Sequence, residues 1–285
     1  MYHEKRDSKN AEKYLLNAYN LNNNSYEIIN NLAGFYREEG RYKKSIKLYQ
    51  KALELNHQNP IIINNLAKAY FDINELVLAE KYCKKALEIN KYDGNIQKIL
   101  SLIYLFRQNY KDGWYYFDGR LNLSDFVENN STINKIRKKL INKNYLNNEL
   151  KLLILREQGV GDEILYGSMY PDLLNKCKYV TIECDPRLKK IFSNSFPNYK
   201  KKFINFKEIS QNERLLRNYD YVIYAGSLGK FFRQNKKDFG TGCYLQAENS
   251  LIKKYRSILG ELEGDLNIGI SWKSFKNRYA TEKSL

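Results

Sequence analysis

Histidine is nearly missing: the 285 residues hold only 2, His3 in a ragged terminus and His57 in a polar turn. A Ser-His or Cys-His catalytic pair has almost nothing to be built from, so any general base is predicted to be a carboxylate. Cysteine is sparse too. Cys83, Cys177, Cys184 and Cys243 form no Cys-x-x-Cys pair and have no histidine at ligand spacing, which argues against a zinc site, a bound metal or a disulfide framework. They read as reduced, structural thiols. No run approaches the roughly 18 apolar residues of a membrane helix. The start, Met1-Tyr2-His3-Glu4-Lys5-Arg6-Asp7, lacks the apolar core of a signal peptide. A soluble, cytoplasmic protein without an integral membrane segment is the expectation. Concentrated charge is also lacking: the net charge of +16 is spread along the chain, and its densest run, Lys135-Ile136-Arg137-Lys138-Lys139, is short. Electrostatic binding of nucleic acid needs Lys and Arg gathered on one face, so nucleic acid is not the expected partner.

What the chain does have is a repeat. Leu32, Leu66 and Leu100 recur at a spacing of 34, and their neighbours match in register. Ala33, Tyr36, Gly40, Tyr42, Ser45, Tyr49, Ala52 and Leu55 occupy the slots of Ala67, Tyr70, Asn74, Leu76, Ala79, Cys83, Ala86 and Ile89, and a third unit keeps Ser101, Tyr104, Tyr110, Gly113 and Phe117. Antiparallel helices pack closely only where small residues meet at the crossing, here Ala33 with Ser45 and Ala67 with Ala79. Gly40 and Asn74 fall in the turn between helices, where a positive φ is cheap for Gly and tolerable for Asn. Over residues 26–120 the chain resembles the tetratricopeptide repeat family, with units of about 26–59, 60–93 and 94–120. Ala11, Ala18 and Leu21 continue the frame backwards, so a partial unit precedes residue 26 within an array spanning 1–120.

Asn30-Asn31 and Asn64-Asn65 stand at equal positions on successive first helices. A row of side-chain amides there offers donors and acceptors to an extended backbone, which makes Asn31 and Asn65 candidates for contact with a protein or peptide in the repeat groove. Such a ladder resembles that of the O-linked N-acetylglucosamine transferases, although Ile99 breaks it in the third unit and an Asn-rich composition can produce it by chance.

Residues 121–148 read as a polar linker. From residue 149 the period changes. Leu150–Leu155 is a short apolar run of the kind a buried parallel strand needs, followed by Glu157-Gln158-Gly159-Val160-Gly161-Asp162 and a helix. Further strands are predicted over 179–183, 202–206 and 219–224 with helices between them. This alternation predicts a Rossmann-like parallel sheet, whose ligands gather at the carboxyl ends of the strands. The loop is not the dinucleotide fingerprint, because Asp162 follows Gly161 directly and a carboxylate there repels a pyrophosphate.

The order of repeats, then Gly113-Trp114 before Arg120, then the loop 157–162, then Ile268-Gly269-Ile270-Ser271-Trp272-Lys273-Ser274, is similar to bacterial repeat-fused glycosyltransferases related to the lipopolysaccharide heptosyltransferases. That resemblance implies a GT-B architecture: an α + α/β chain in which an N-terminal tetratricopeptide α-solenoid precedes a Rossmann-like first half (149–262) and the start of an incomplete second half (263–285). It implies transfer of a sugar from a nucleotide-sugar, as co-substrate and with no further cofactor, to a protein or glycan acceptor recruited by the repeats. Asp162 would be the catalytic base, Glu157, Gln158, Gly159 and Gly161 would shape the acceptor site, and Lys273 and Lys283 would meet the donor diphosphate. A base is required because a sugar hydroxyl is a poor nucleophile until its proton is removed. Asp162 can equally be a helix cap, and Lys273 and Lys283 solvated lysines. A full second half needs on the order of 100 residues, so the given sequence is expected to be inactive as it stands, and a non-catalytic interaction scaffold is the alternative.

Overall fold

The computed structural model describes residues 8–123, 140, 146–157, 159–205, 208, 212–240 and 242–260. Most of the linker, Gln158, Lys273, Lys283 and the whole of 263–285 lie outside them.

Three helical hairpins follow a lone first helix, α1 (Ser8–Leu21). They are α2 (Tyr26–Glu38) with α3 (Tyr42–Leu55), α4 (Pro60–Asp72) with α5 (Leu76–Ile89), and α6 (Gly94–Phe106) with α7 (Tyr110–Phe117). The start signals recur with the period. Ser25, Asn59 and Asp93 each cap the first helix of a hairpin, their side chains accepting from backbone N–H groups of the first turn, which satisfies donors the helix leaves open. The turns recur as well: Gly40, Asn74 and Gln108 carry φ of 73°, 61° and 61°. The small residues at the crossings, Ala33, Ser45, Ala67 and Ala79, are fully buried. Around them Ile63, Leu66, Tyr70, Cys83, Ile96 and Leu100 form one continuous core through successive hairpins. α1 buries no residue completely and is tied to the first hairpin by Arg41–Glu12 and Lys51–Tyr19 bonds.

A 3-10 turn (Asp118–Asn122) ends the array. Beyond the linker come β1 (Lys151–Leu155), α8 (Val160–Gly167), α9 (Tyr170–Lys176), β2 (Tyr179–Cys184), α10 (Pro186–Ser195), β3 (Phe203–Asn205), α11 (Glu213–Leu216), β4 (Tyr221–Tyr224), α12 (Gly229–Phe232) and α13 (Asn249–Gly260). The strands differ from the sequence-based spans by one or two residues at their ends. All pairings are parallel, in the order β3-β2-β1-β4. Since β1 pairs with β2 on one side and β4 on the other, the chain reverses its direction of growth between β1 and β4.

Alternation along β1 divides its side chains. Leu152 and Ile154 join Val180, Ile182 and Ile223 in a core covered by Tyr166, Tyr170, Leu173 and Phe192. Leu153 and Leu155 face the other way, with Val222, Tyr224 and Leu216. Leu121, from the turn that ends the array, packs against this second core, while Phe117, four residues earlier, packs against the first. The array therefore reaches both faces of the sheet at its carboxyl edge. Among the described residues no helix is long and apolar enough to cross a membrane.

Candidate functional site

Two places gather the residues singled out by sequence. The first is the row of first helices, where α2, α4 and α6 stand side by side. Asn65 Nδ2 donates to Asn30 Oδ1 at 3.0 Å, bridging successive hairpins. Asn31 is exposed beside this bridge. Two turns further on, Arg37 Nη1 meets Asp72 Oδ2 at 2.9 Å, again across α2 and α4. Lys68 lies half-buried between them; burial, then the Arg37 cation, pulls its ammonium below the ordinary lysine range. Two buried atoms here, Arg37 Nε and Asn64 Oδ1, have no hydrogen-bond partner among the described residues. Buried polar atoms in folded proteins are nearly always bonded, and these two are exceptions. The amide row thus pairs Asn30 with Asn65, a diagonal step, while Asn31 stays open to solvent. Lys68 is not among the residues that the sequence pattern singles out; its signal is a cation in the slot that is Gly34 in the first hairpin.

The second place is the carboxyl edge of the sheet. The backbone N–H of Gly159 donates to Asp162 Oδ2 at 3.0 Å, so Asp162 closes the first turn of α8 as a cap. It is half-buried. Neither Gly159 nor Gly161 is crowded: a Cβ at Gly161 would meet nothing within 4 Å, and one at Gly159 would meet only Asp162 Oδ2 at 3.6 Å. The loop is open on its outer side.

Behind it runs a charged network that the sequence pattern does not reveal. Glu163, fully buried, pairs with Arg156 and accepts from the backbone N–H of Asp185 at 2.9 Å. Burial pushes its carboxyl up, against the opposing pull of that N–H and of Arg156. Asp185, which caps α10 after β2, accepts from Arg187 at 2.8 and 2.9 Å. Arg187, with smaller help from Arg156, brings its carboxyl down to about 2.

Glu157 occupies neither the open side of the loop nor a cleft. It is 5% exposed, and its two oxygens receive Arg120 Nη2 at 2.6 Å and Nε at 2.8 Å, with the backbone N–H of Gly226 added at 2.6 Å. Its contacts are with the end of the repeat array and the loop after β4. Among the described residues no group of three or more His, Cys, Asp or Glu side chains is placed to hold a metal.

Known proteins resemble parts of this chain. The family models for the TPR repeat and the tetratricopeptide repeat match residues 35–74 and 62–91. With the helical hairpins above, they show that the N-terminal part carries tetratricopeptide repeats. Protein FlbA of Caulobacter vibrioides (strain ATCC 19089 / CIP 103742 / CB 15) is 27% identical over 139 residues, covering 44% of this chain and 23% of FlbA. The chain therefore matches less than a quarter of that relative's length. Among solved structures, MamA is 18% identical over 43% of this chain and 72% of its own, with a TM-score of 0.39. A tetratricopeptide repeat protein from Parabacteroides merdae ATCC 43184 is 22% identical over 48% of this chain and 56% of its own, also at 0.39. The first TPR of Spaghetti (RPAP3), solved bound to HSP90 peptide SRMEEVD, is 22% identical over 40% of this chain and 89% of its own, at 0.34.

Proposed function

We propose that this chain is an interaction scaffold that holds an extended segment of another protein along its row of first helices. The observation that carries the reading is the Asn30–Asn65 amide bridge between successive hairpins. It fixes two side-chain amides in register with the exposed Asn31 and the half-buried Lys68, which together offer backbone-like donors and acceptors and one cation to a passing strand of peptide. Selection of a random peptide library against the full chain, followed by fluorescence anisotropy of the selected peptides, tests it. Asn65→Ala and Lys68→Met should each weaken binding by tenfold or more, whereas Lys85→Ala on the outer helix α5 should leave it unchanged. Equal binding by all the variants would refute the reading.

A second reading is favoured by the strand order. The order β3-β2-β1-β4 is compatible with the first four strands of the doubly wound order 3-2-1-4-5-6, in which ligands gather near the point of reversal. On this reading the sheet is the acceptor-binding half of a GT-B glycosyltransferase. Asp162 takes the acceptor proton, Gly159 and Gly161 leave room for the sugar, and Glu157 supports the loop from behind. Gln158, and Lys273 and Lys283 at the diphosphate of the nucleotide-sugar, complete the assignment. Asp162→Asn in a protein that carries the donor half should lower turnover at least a hundredfold with little change in KM, the mark of a lost general base. Unchanged turnover would remove Asp162 from the chemistry.

A further inference from the structure

The seam between repeats and sheet is built differently from the joints inside the array. Arg120 stands one period after Ala86 and two after Ala52, yet where those two slots hold a small apolar residue, here a guanidinium is buried to 3% exposure. It forks onto Glu157, reaches Ser227 Oγ at 3.0 Å and the Phe117 carbonyl at 2.9 Å, and lies over the Phe117 ring. Asp118 adds bonds to Ser227 Oγ at 2.5 Å and to Lys230 Nζ at 2.6 Å. The aromatic side of the same turn sits on bare backbone. A Cβ at Gly229 would lie 2.1 Å from the Trp114 ring, and one at Gly226 would lie 2.7 Å from Glu157 Oε1 and 2.9 Å from Phe117. Phe117 also meets Tyr166 edge-on, on the helix that Asp162 opens.

The third hairpin thus touches the end of β1, the loop after β4, α8 and α12, while α6 still packs on α5. We infer that this hairpin is a shared element: it closes the repeat array and at the same time is the covering layer of the sheet, with Arg120 as the positioning residue that ties Glu157 and the start of α8 to the repeats. A perturbation of the third hairpin therefore reaches the glycine loop, although the two are far apart in sequence. The inference does not depend on what either surface binds.

Hydrogen exchange of the full chain, read by mass spectrometry on peptides from 26–72, 94–122, 150–167 and 221–233, tests it. Arg120→Met leaves Glu157 as a buried charge without its partner. Exchange should rise tenfold or more in 94–122, 150–167 and 221–233 together, with 26–72 unchanged. Arg120→Met combined with Glu157→Met removes both charges and should exchange more slowly than Arg120→Met alone, the result expected of a coupled pair. If Arg120→Met does not fold, Glu157→Gln, which keeps the shape and loses the charge, is read in the same way. A rise confined to one side of the seam, or a double variant no better protected than the single one, would overturn the inference.

Discussion

The repeat array and the sheet bury their apolar residues by opposite means. In the array each hairpin leans on the next, and contacts are made between elements near in sequence. A period of small and large residues is enough to specify them. In the sheet β1 lies between β2 and β4, so its partners are residues 179–182 and 221–224; nothing local in 151–155 names either neighbour. A change in the array should therefore act on one hairpin, and a change in the seam or sheet should spread.

The contrast is sharpest at Arg120. Truncating it to Ala leaves Glu157 a buried charge without its cation and should cost about 3–5 kcal/mol, seen as a lowered midpoint in urea unfolding; Glu157→Ala, which leaves Arg120 its second carboxylate Asp118 at 3.2 Å, should cost less. A loss below about 1 kcal/mol would show the pair to be solvated and the seam to be loose. Next comes Gly229→Ala, which drives a methyl group into the Trp114 ring. Overpacking of this kind costs about 1–3 kcal/mol, and the near-ultraviolet circular dichroism of Trp114 should change with it. Within the array the effects are smaller and of either sign. Gln108 holds a φ of 61° in the turn where the first hairpin has Gly40, so Gln108→Gly should stabilise the protein by up to about 1 kcal/mol; a loss of stability would mean that the Gln side chain has a role in the turn.

The smallest effect is expected of Asp185. Its carboxyl, at about 2 when folded, lies below the roughly 3.9 of an unfolded Asp. The folded state is favoured above that unfolded value, and the benefit disappears as pH falls from about 4 toward about 2. Because its main partner Arg187 has a side chain 75% exposed, the pair is screened by solvent. Asp185→Asn should flatten the acid limb of the stability profile in that window, lowering stability slightly at neutral pH, where the benefit is fully present, and leaving it unchanged below about pH 2.

The array is legible in the sequence because one recurrence reports many contacts at once. Slot alone places Ala33, Ser45, Ala67 and Ala79 at the crossings, and the structure buries all four. The positive φ at Gln108 has no compositional sign, since Gln rarely marks a left-handed turn; only the slot shared with Gly40 and Asn74 points to it. The parallel strands are legible from short apolar runs, but their order is not, because pairing depends on contacts between distant segments. Glu157 reads as facing a ligand because it opens a glycine loop; the structure places it against Arg120. A sign of that role is present: an Arg in a slot that two repeats fill with Ala is either a surface residue or a charge with a buried partner. Choosing between them requires knowing which element packs against the end of the array. The bond from Gly159 N–H to Asp162 accords with the capping role, which sequence can state but not rank.

Reception of a partner segment by the row of first helices is tested most directly by a selected peptide carrying one benzoylphenylalanine, photolysed on the full chain and mapped by mass spectrometry. Cross-links should fall on α2, α4 and α6, around Asn31, Asn65 and Lys68. Cross-links concentrated on α3 and α5, or on the sheet, would contradict it.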